Sequence, residues 1–278
     1  MSSSNKFSAN LLCLARGKQA PIWGRVWLIG AGPGDPDLIT VAGLRLLKAA
    51  DVVVHDRLGA PALLCECRPD ALKINVGKRA GHHAVPQADI NALLAQHAMA
   101  GRSVVRLKGG DPFIFGRGGE EMLMLRQLGI QVDVIPGVTA ASACAASTGI
   151  PLTHRSLATE VSMITAHHRE GAPGCNWAQL AAQRERTLVF YMGLSQAHEI
   201  SNGLVSNGLP GNTPVALISN GATPDQQALR CTLDSLAETA RCSKLVSPCL
   251  IVVGAVVNLA NHRVAKFEPS QEATQWAA

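Results

Sequence analysis

Between residues 24 and 152, short β-branched runs alternate with segments of helical spacing, and this rhythm constrains the fold more than any other feature. The runs predict strands at Arg25–Gly30, Asp51–Asp56, Leu72–Val76, Ser103–Leu107 and Gln131–Ile135. Leu38, Ile39, Ala42, Leu46 and Leu47 repeat at helical spacing after the first run. Ile90, Leu93, Leu94 and His97 do the same within Asp89–Met99, Glu120–Leu128 carries another such face, and Thr139–Ser147 is small and alanine-rich. Strands alternating with helices imply a mostly parallel sheet covered on both faces.

The rhythm breaks at Gly149-Ile150-Pro151-Leu152-Thr153-His154. Beyond it, strands are predicted at Val161–Thr165, Thr187–Tyr191, Val215–Ser219, Ala228–Thr232 and Leu250–Val253, with helices near 177–183, 195–206 and 233–241. More strand and fewer helices predict a mixed sheet. The expected fold class is therefore α/β, with two α/β lobes (24–152 and 153–264) and a cleft between them, where ligands favour strand ends and domain interfaces. Residues 1–23 are expected to form a disordered leader and 265–278 a flexible tail.

Three glycine turns follow strands in the first half: Gly30-Ala31-Gly32-Pro33-Gly34-Asp35-Pro36, Lys108-Gly109-Gly110-Asp111-Pro112 and Pro136-Gly137-Val138-Thr139. Each alone reads as an ordinary strand–helix connection; together they predict one shared ligand site. The first has the strand–turn–helix setting of a dinucleotide loop, but its sixth position is Asp35 where that fingerprint needs glycine. A carboxylate there would repel a pyrophosphate from the helix N-terminus.

Bulk properties narrow the function classes. The 278 residues are 47% hydrophobic and 16% charged, as in globular proteins, and the apolar runs are strand-sized. No signal-peptide layout is present, so a cytoplasmic setting and no membrane are expected. A net charge of +5 suits an anionic small ligand, and 4% aromatic residues are too few for a nucleic-acid stacking platform. Eight cysteines without a CxxC pair read as reduced thiols. Adjacent histidines, His82-His83 and His167-His168, would point to opposite faces of a strand, so no metal site is expected.

The segments GAGPGDP, VVHDRL, VGKRAGHH, RLKGGDPFIFGRG, PGVTAA and GIPLTHR stand in this order. Together they resemble the uroporphyrinogen-III C-methyltransferases of the tetrapyrrole methylase family, with its class III methyltransferase fold. Tyr191-Met192-Gly193 and Leu250–Gly254 extend the likeness, which covers roughly residues 24 to 257. It implies an S-adenosylmethionine site, S-adenosylhomocysteine as product, a homodimer, and two successive methylations of uroporphyrinogen III to precorrin-2 for siroheme, cobalamin or haem d₁.

By position, the family's cofactor contacts fall on Pro33, Gly109, Gly110, Asp111, Ile114, Thr139, Ala140, Met192 and Gly221. Asp111 and Thr139 can hydrogen-bond polar groups. Met192 taken alone would read as core. The family's proton acceptor and donor fall on Asp56 and Lys78. Asp56 reads equally well as an N-cap or loop salt bridge, and Lys78 as a cation that holds substrate. Arg117 is singled out because it lies in a glycine-rich stretch with no packing reason to be there; Glu120, one turn on, can pair with it or relay a proton. A carboxylate-rich substrate needs a cationic cleft, for which Arg57, Arg79, Arg106, Lys108, Arg155 and the neighbouring His82 are candidates; singly, each cation reads as a solvated charge.

Two positions depart from the family pattern: His55, where tyrosine is more usual, and Ala255, where an acidic residue is common. The short stretch before residue 24 leads to the expectation that the chain methylates and neither oxidises nor inserts iron. The competing readings are another acceptor on the same fold, a nicotinamide-dependent oxidoreductase and a non-catalytic tetrapyrrole carrier.

Overall fold

In the computed structural model, the residues described are 23–56, 62–77, 85–166, 174–260 and 264–266. The first sheet holds β1 (Val26–Gly30), β2 (Val52–His55), β3 (Leu72–Asn75), β4 (Val104–Lys108) and β5 (Val132–Ile135) in the order β3-β2-β4-β1-β5. All its pairings are parallel. The chain passes from β4 to β5 across β1, so the strand order reverses there, at the kind of switch point where open α/β sheets hold ligands.

Four helices accompany it: α1 (Val41–Ala49), α2 (Gln87–Met99), α3 (Gly118–Gln127) and α4 (Ala140–Thr148). Leu94, Ala98 and Leu125, from α2 and α3, pack with Val26, Leu28, Val54 and Val104 on one face. Leu47 from α1 packs with Ile29, Val53, Val105 and Leu107 on the other. Each fully buried valine, leucine or isoleucine side chain here stabilises by about 1.5–3 kcal/mol.

The helical spacing read from Leu38 onward is realised in two pieces, a 3₁₀ turn (Pro36–Leu38) and α1. Two side-chain caps enforce the break. Asp35 accepts from the Asp37 amide at 2.9 Å, and Thr40 from the Gly43 amide at 3.1 Å.

The second sheet contains β6 (Glu160–Thr165), β7 (Arg186–Tyr191), β8 (Pro214–Ser219), β9 (Gln227–Thr232), β10 (Cys249–Val253) and β11 (Ala265–Lys266), in the order β11-β9-β8-β10-β7-β6. It is mixed: β6/β7 and β9/β11 are parallel, and the pairs between them antiparallel. α5 (Trp177–Ala181), α6 (Ala197–Ser206) and α7 (Leu236–Cys242) contribute Trp177, Ile200, Leu204 and Leu236 to the core on one face.

The other face is covered by α4, which follows β5 in sequence but packs Ala141 and Cys144 against Val189, Ala216, Ile218 and Val252. Its small side chains permit a close approach: a Cβ on Gly221 would collide with Cys144 Sγ. α4 thus joins the two halves.

Candidate functional site

The three glycine turns converge at the carboxyl ends of β1, β4 and β5. Gly110 donates to the Gly32 carbonyl at 2.7 Å, and Gly32 to the Gly110 carbonyl at 3.2 Å. Gly30 and Gly137 lie back to back, where a Cβ on either would overlap the other's backbone or the Gly110 carbonyl. Asp111 fastens the assembly, accepting from the Phe113 amide at 2.8 Å through Oδ1 and from the Gly137 amide at 3.0 Å through Oδ2. Its carboxylate thus ties the second glycine turn to the third, with one accepted bond on each oxygen.

Gly110 has φ +67°, and a Cβ there would find only the Ala140 amide nitrogen and Thr139 Cα, both at 4.0 Å. That leaves a small open cradle between the Gly109-Gly110 turn and the start of α4. Across it stands Tyr191, at the end of β7. Its hydroxyl shares a 2.6 Å hydrogen bond with Thr139 Oγ and accepts from the Ala141 amide at 3.0 Å. Burial pushes the Tyr191 hydroxyl pKa up, against the lowering effect of those two bonds. Sequence reasoning used Tyr191 only as part of a motif; the signal available was the single tyrosine in the chain, at a strand end.

Apolar side chains rim the cradle. Phe115 packs against Tyr191 with ring centroids 4.8 Å apart and the rings tilted by 52°. Phe113 and Ile114 are exposed beside it, and Met192, the residue after Tyr191, is 51% exposed with φ 56°. Met192 is therefore not a core methionine. A second opening, a cleft of about 810 Å³, lies between the first glycine loop, α4 and the 222–226 loop, with Gly34, Asp35, Val138, Ser142 and Thr223 among its walls. Pro33 sits beside that wall in the first loop; Gly221 adjoins it from the second half.

Below the cradle is a buried charge cluster. β4 is buried at every position, yet it carries Arg106 and Lys108, each 4% exposed. Lys108 Nζ donates to Glu121 Oε1 at 2.9 Å, and Arg106 Nε to the same oxygen at 3.4 Å. Glu121 is fully buried and also accepts from Gln87 at 3.1 Å. Arg106 Nη2 lies 3.8 Å from Asp56 Oδ2, which accepts from the Gly109 amide at 3.4 Å. Burial, reinforced by Arg106, lowers the Lys108 pKa, and Glu121 only partly restores it.

This corrects the expectation of solvated charges: Arg106 and Lys108 are buried and held by Glu121, so neither presents its cation at the surface. Glu121 itself was missed: in sequence it is one of two adjacent glutamates, and only the helix phase distinguishes them. Arg117 and Glu120 do pair, at 2.6 Å and 3.0 Å, but on the surface. Arg117 occupies a left-handed conformation (φ 58°) as the N-cap of α3. Arg155 is exposed in the 153–157 turn. Arg57, Lys78, Arg79, His82, His83, His167 and His168 lie outside the described residues. Among the described residues no group of histidine, cysteine and carboxylate side chains could hold a metal.

Residues 25–237 match the family of Tetrapyrrole (Corrin/Porphyrin) Methylases. The chain belongs to the tetrapyrrole methylases. Its architecture agrees with that family: a uroporphyrin-III C-methyl transferase from Thermus thermophilus, complexed with S-adenyl homocysteine, is 39% identical. That structure superposes with a TM-score of 0.73 over 85% of this chain and 100% of its own. A cobalt precorrin-4 methyltransferase of cobalamin biosynthesis is 29% identical, with a TM-score of 0.75 over 84% of this chain and 95% of its own. Siroheme synthase 1 of Aeromonas hydrophila is 53% identical over 238 residues, 86% of this chain and 51% of that protein. A siroheme synthase of Escherichia coli is 51% identical over 85% of this chain and 51% of its own length. This tetrapyrrole methylase thus spans about half the length of these curated relatives.

Proposed function

We propose that this tetrapyrrole methylase transfers methyl groups from S-adenosylmethionine to uroporphyrinogen III, twice, giving precorrin-2. The observation that carries the reading is the convergence of three glycine turns on a cradle rimmed by exposed Ile114 and Met192, in a chain similar over 85% of its length to a transferase complexed with S-adenyl homocysteine. The residues present fit that group. Gly109 and Gly110 leave the backbone approachable, Thr139 and Ala140 open α4 toward the cradle, and Ile114 and Met192 offer apolar surface for an adenine or thioether. Asp35, which caps its own 3₁₀ turn, blocks a pyrophosphate there but is no obstacle to a ligand without phosphate.

When bound, S-adenosylmethionine supplies a methyl group on a positively charged sulfur to an electron-rich pyrrole carbon. The chain's task is then to orient the ring and handle a proton. Asp56, at the carboxyl end of β2 beside Gly109, is the proposed proton acceptor, and Lys78 the proposed donor. Arg117, on the substrate side, and Glu120, which can pair with it or relay a proton, join them as proposed catalytic residues, and Arg57, Arg79, Arg155 and His82 are assigned to substrate binding. A homodimer in the cytoplasm is part of the same reading; among the described residues no helix is long and apolar enough to cross a membrane.

The test is anaerobic incubation of the purified protein with uroporphyrinogen III and S-adenosylmethionine, followed by mass analysis of the tetrapyrrole. A gain of two methyl groups is expected. No gain, with S-adenosylhomocysteine still bound, would mean a different acceptor on the same fold.

A further inference from the structure

Two cations in a fully buried central strand are expensive, since burying an ion pair often stabilises less than an apolar substitute of the same volume. In this chain the expense has a geometry. From α2, Gln87 reaches Glu121 on α3; from α3, Glu121 Oε1 grips Lys108 and Arg106 on β4. Arg106 is locked further by donation to the Val54 carbonyl at 3.4 Å and the Leu107 carbonyl at 3.1 Å. Its remaining nitrogen faces Asp56. The second oxygen of Glu121 has no hydrogen-bond partner, so the carboxylate is committed to the two cations by charge rather than by a saturated network.

We propose that Glu121 is a positioning residue for the methyl-transfer reaction: by anchoring Lys108 and Arg106 it fixes where the Asp56 carboxylate sits and which charges face it. The inference rests on the reading of Asp56 as proton acceptor. Among the described residues, the charged and titratable groups around Asp56 are Arg106 and Lys108 from β4, Glu121 from α3 behind them, and His55 from β2. The His55 ring Nδ1 lies 3.1 Å from the Asp56 backbone carbonyl. Arg106, Lys108, Glu121 and Asp56 balance to zero net charge. Removing one member shifts the field on the others in a direction that follows from its sign.

Glu121→Gln leaves two cations against one carboxylate. With a more positive field at the site, it should move the acid limb of the kcat/KM profile for uroporphyrinogen III down by about half to one pH unit. Lys108→Met should move the same limb up. The charge-balanced double variant Lys108→Met/Glu121→Gln should return it to the wild-type position, and it serves where a single variant folds poorly. S-adenosylhomocysteine binding by calorimetry monitors the folded site throughout. A purely structural role would lower turnover without moving the limb, or would move it the same way in both single variants; either result overturns the proposal. Asp56→Asn separates the two levels. Full turnover in Asp56→Asn overturns the proton-acceptor reading itself, whereas loss of turnover there with unmoved limbs in the other variants overturns only the positioning role.

Discussion

Glu120 and Glu121 are neighbours on the first turn of α3, and each engages an arginine. Glu120 meets Arg117 at 2.6 Å with both side chains more than half exposed. Glu121 meets Arg106 at 3.4 Å and Lys108 at 2.9 Å with all three essentially removed from water. The distances alone would rank the surface pair as the stronger. Solvent reverses the order: water screens the first pair and already solvates its separated charges, whereas nothing replaces a partner lost from the second. A buried charge is therefore costly to leave unpaired, and a surface pair is cheap to break.

The largest expected effect is on the buried side. Glu121→Ala should lower unfolding stability by about 3–5 kcal/mol, because it removes the buried ion-pair partner of Lys108 and leaves Arg106 only the more distant Asp56, at 3.8 Å. Urea denaturation checks this, and a loss below about 1 kcal/mol would break the comparison.

The next effect is read through pH. Lys108 titrates below its ordinary 10.5 because burial and Arg106 disfavour its charge. Between that depressed value and 10.5 the unfolded chain binds more protons than the folded one, so this lysine makes stability rise with pH. Wild-type stability should accordingly rise relative to that of Lys108→Met as pH climbs toward 10.5, and the two should run parallel where the lysine is charged in both states. A difference independent of pH over that climb would contradict the assignment.

An intermediate case is Asp51, partly exposed, whose carboxylate accepts from the Ser103 hydroxyl at 2.7 Å and the Ser103 amide at 2.9 Å. Those bonds, the largest contributions, hold its pKa below the ordinary 3.8. The stability it supplies is present above 3.8 and lost as pH falls through the depressed value. Ser103→Ala should lower Tm near neutrality, with the gap to wild type closing in acid.

The smallest stability effect belongs to Arg117→Ala, under about 1 kcal/mol and weaker still at high salt. Under the proposed function the same substitution should reduce turnover while leaving S-adenosylhomocysteine binding nearly intact. Equal loss of both would remove Arg117 from the substrate side.

Much of this architecture was legible because strands and helices advertise themselves by period. Each predicted strand among the described residues is present with its ends shifted by a residue at most, and the second sheet is mixed as its composition implied. The glycine turns were legible as a group, since only close backbone approach explains three such turns at strand ends. What was not legible concerned partners distant in sequence. Asp111 reaches Gly137, Tyr191 reaches Thr139, and Arg106 reaches Asp56; nothing local to any of these residues names the other.

The sequence by itself determined the alternation, the strand ends at which ligand loops gather, and the family resemblance, because these depend on residue type and local spacing. Only the tertiary structure decided that α4 would cover the second sheet, that Arg106 and Lys108 would be buried while Arg117 stayed in water, and that Glu121 rather than Glu120 would hold them. The physical reason is the same in each case. Burial and charge pairing are set by which elements pack together, and a helix turns about 100° between adjacent residues, so two neighbouring glutamates meet opposite environments.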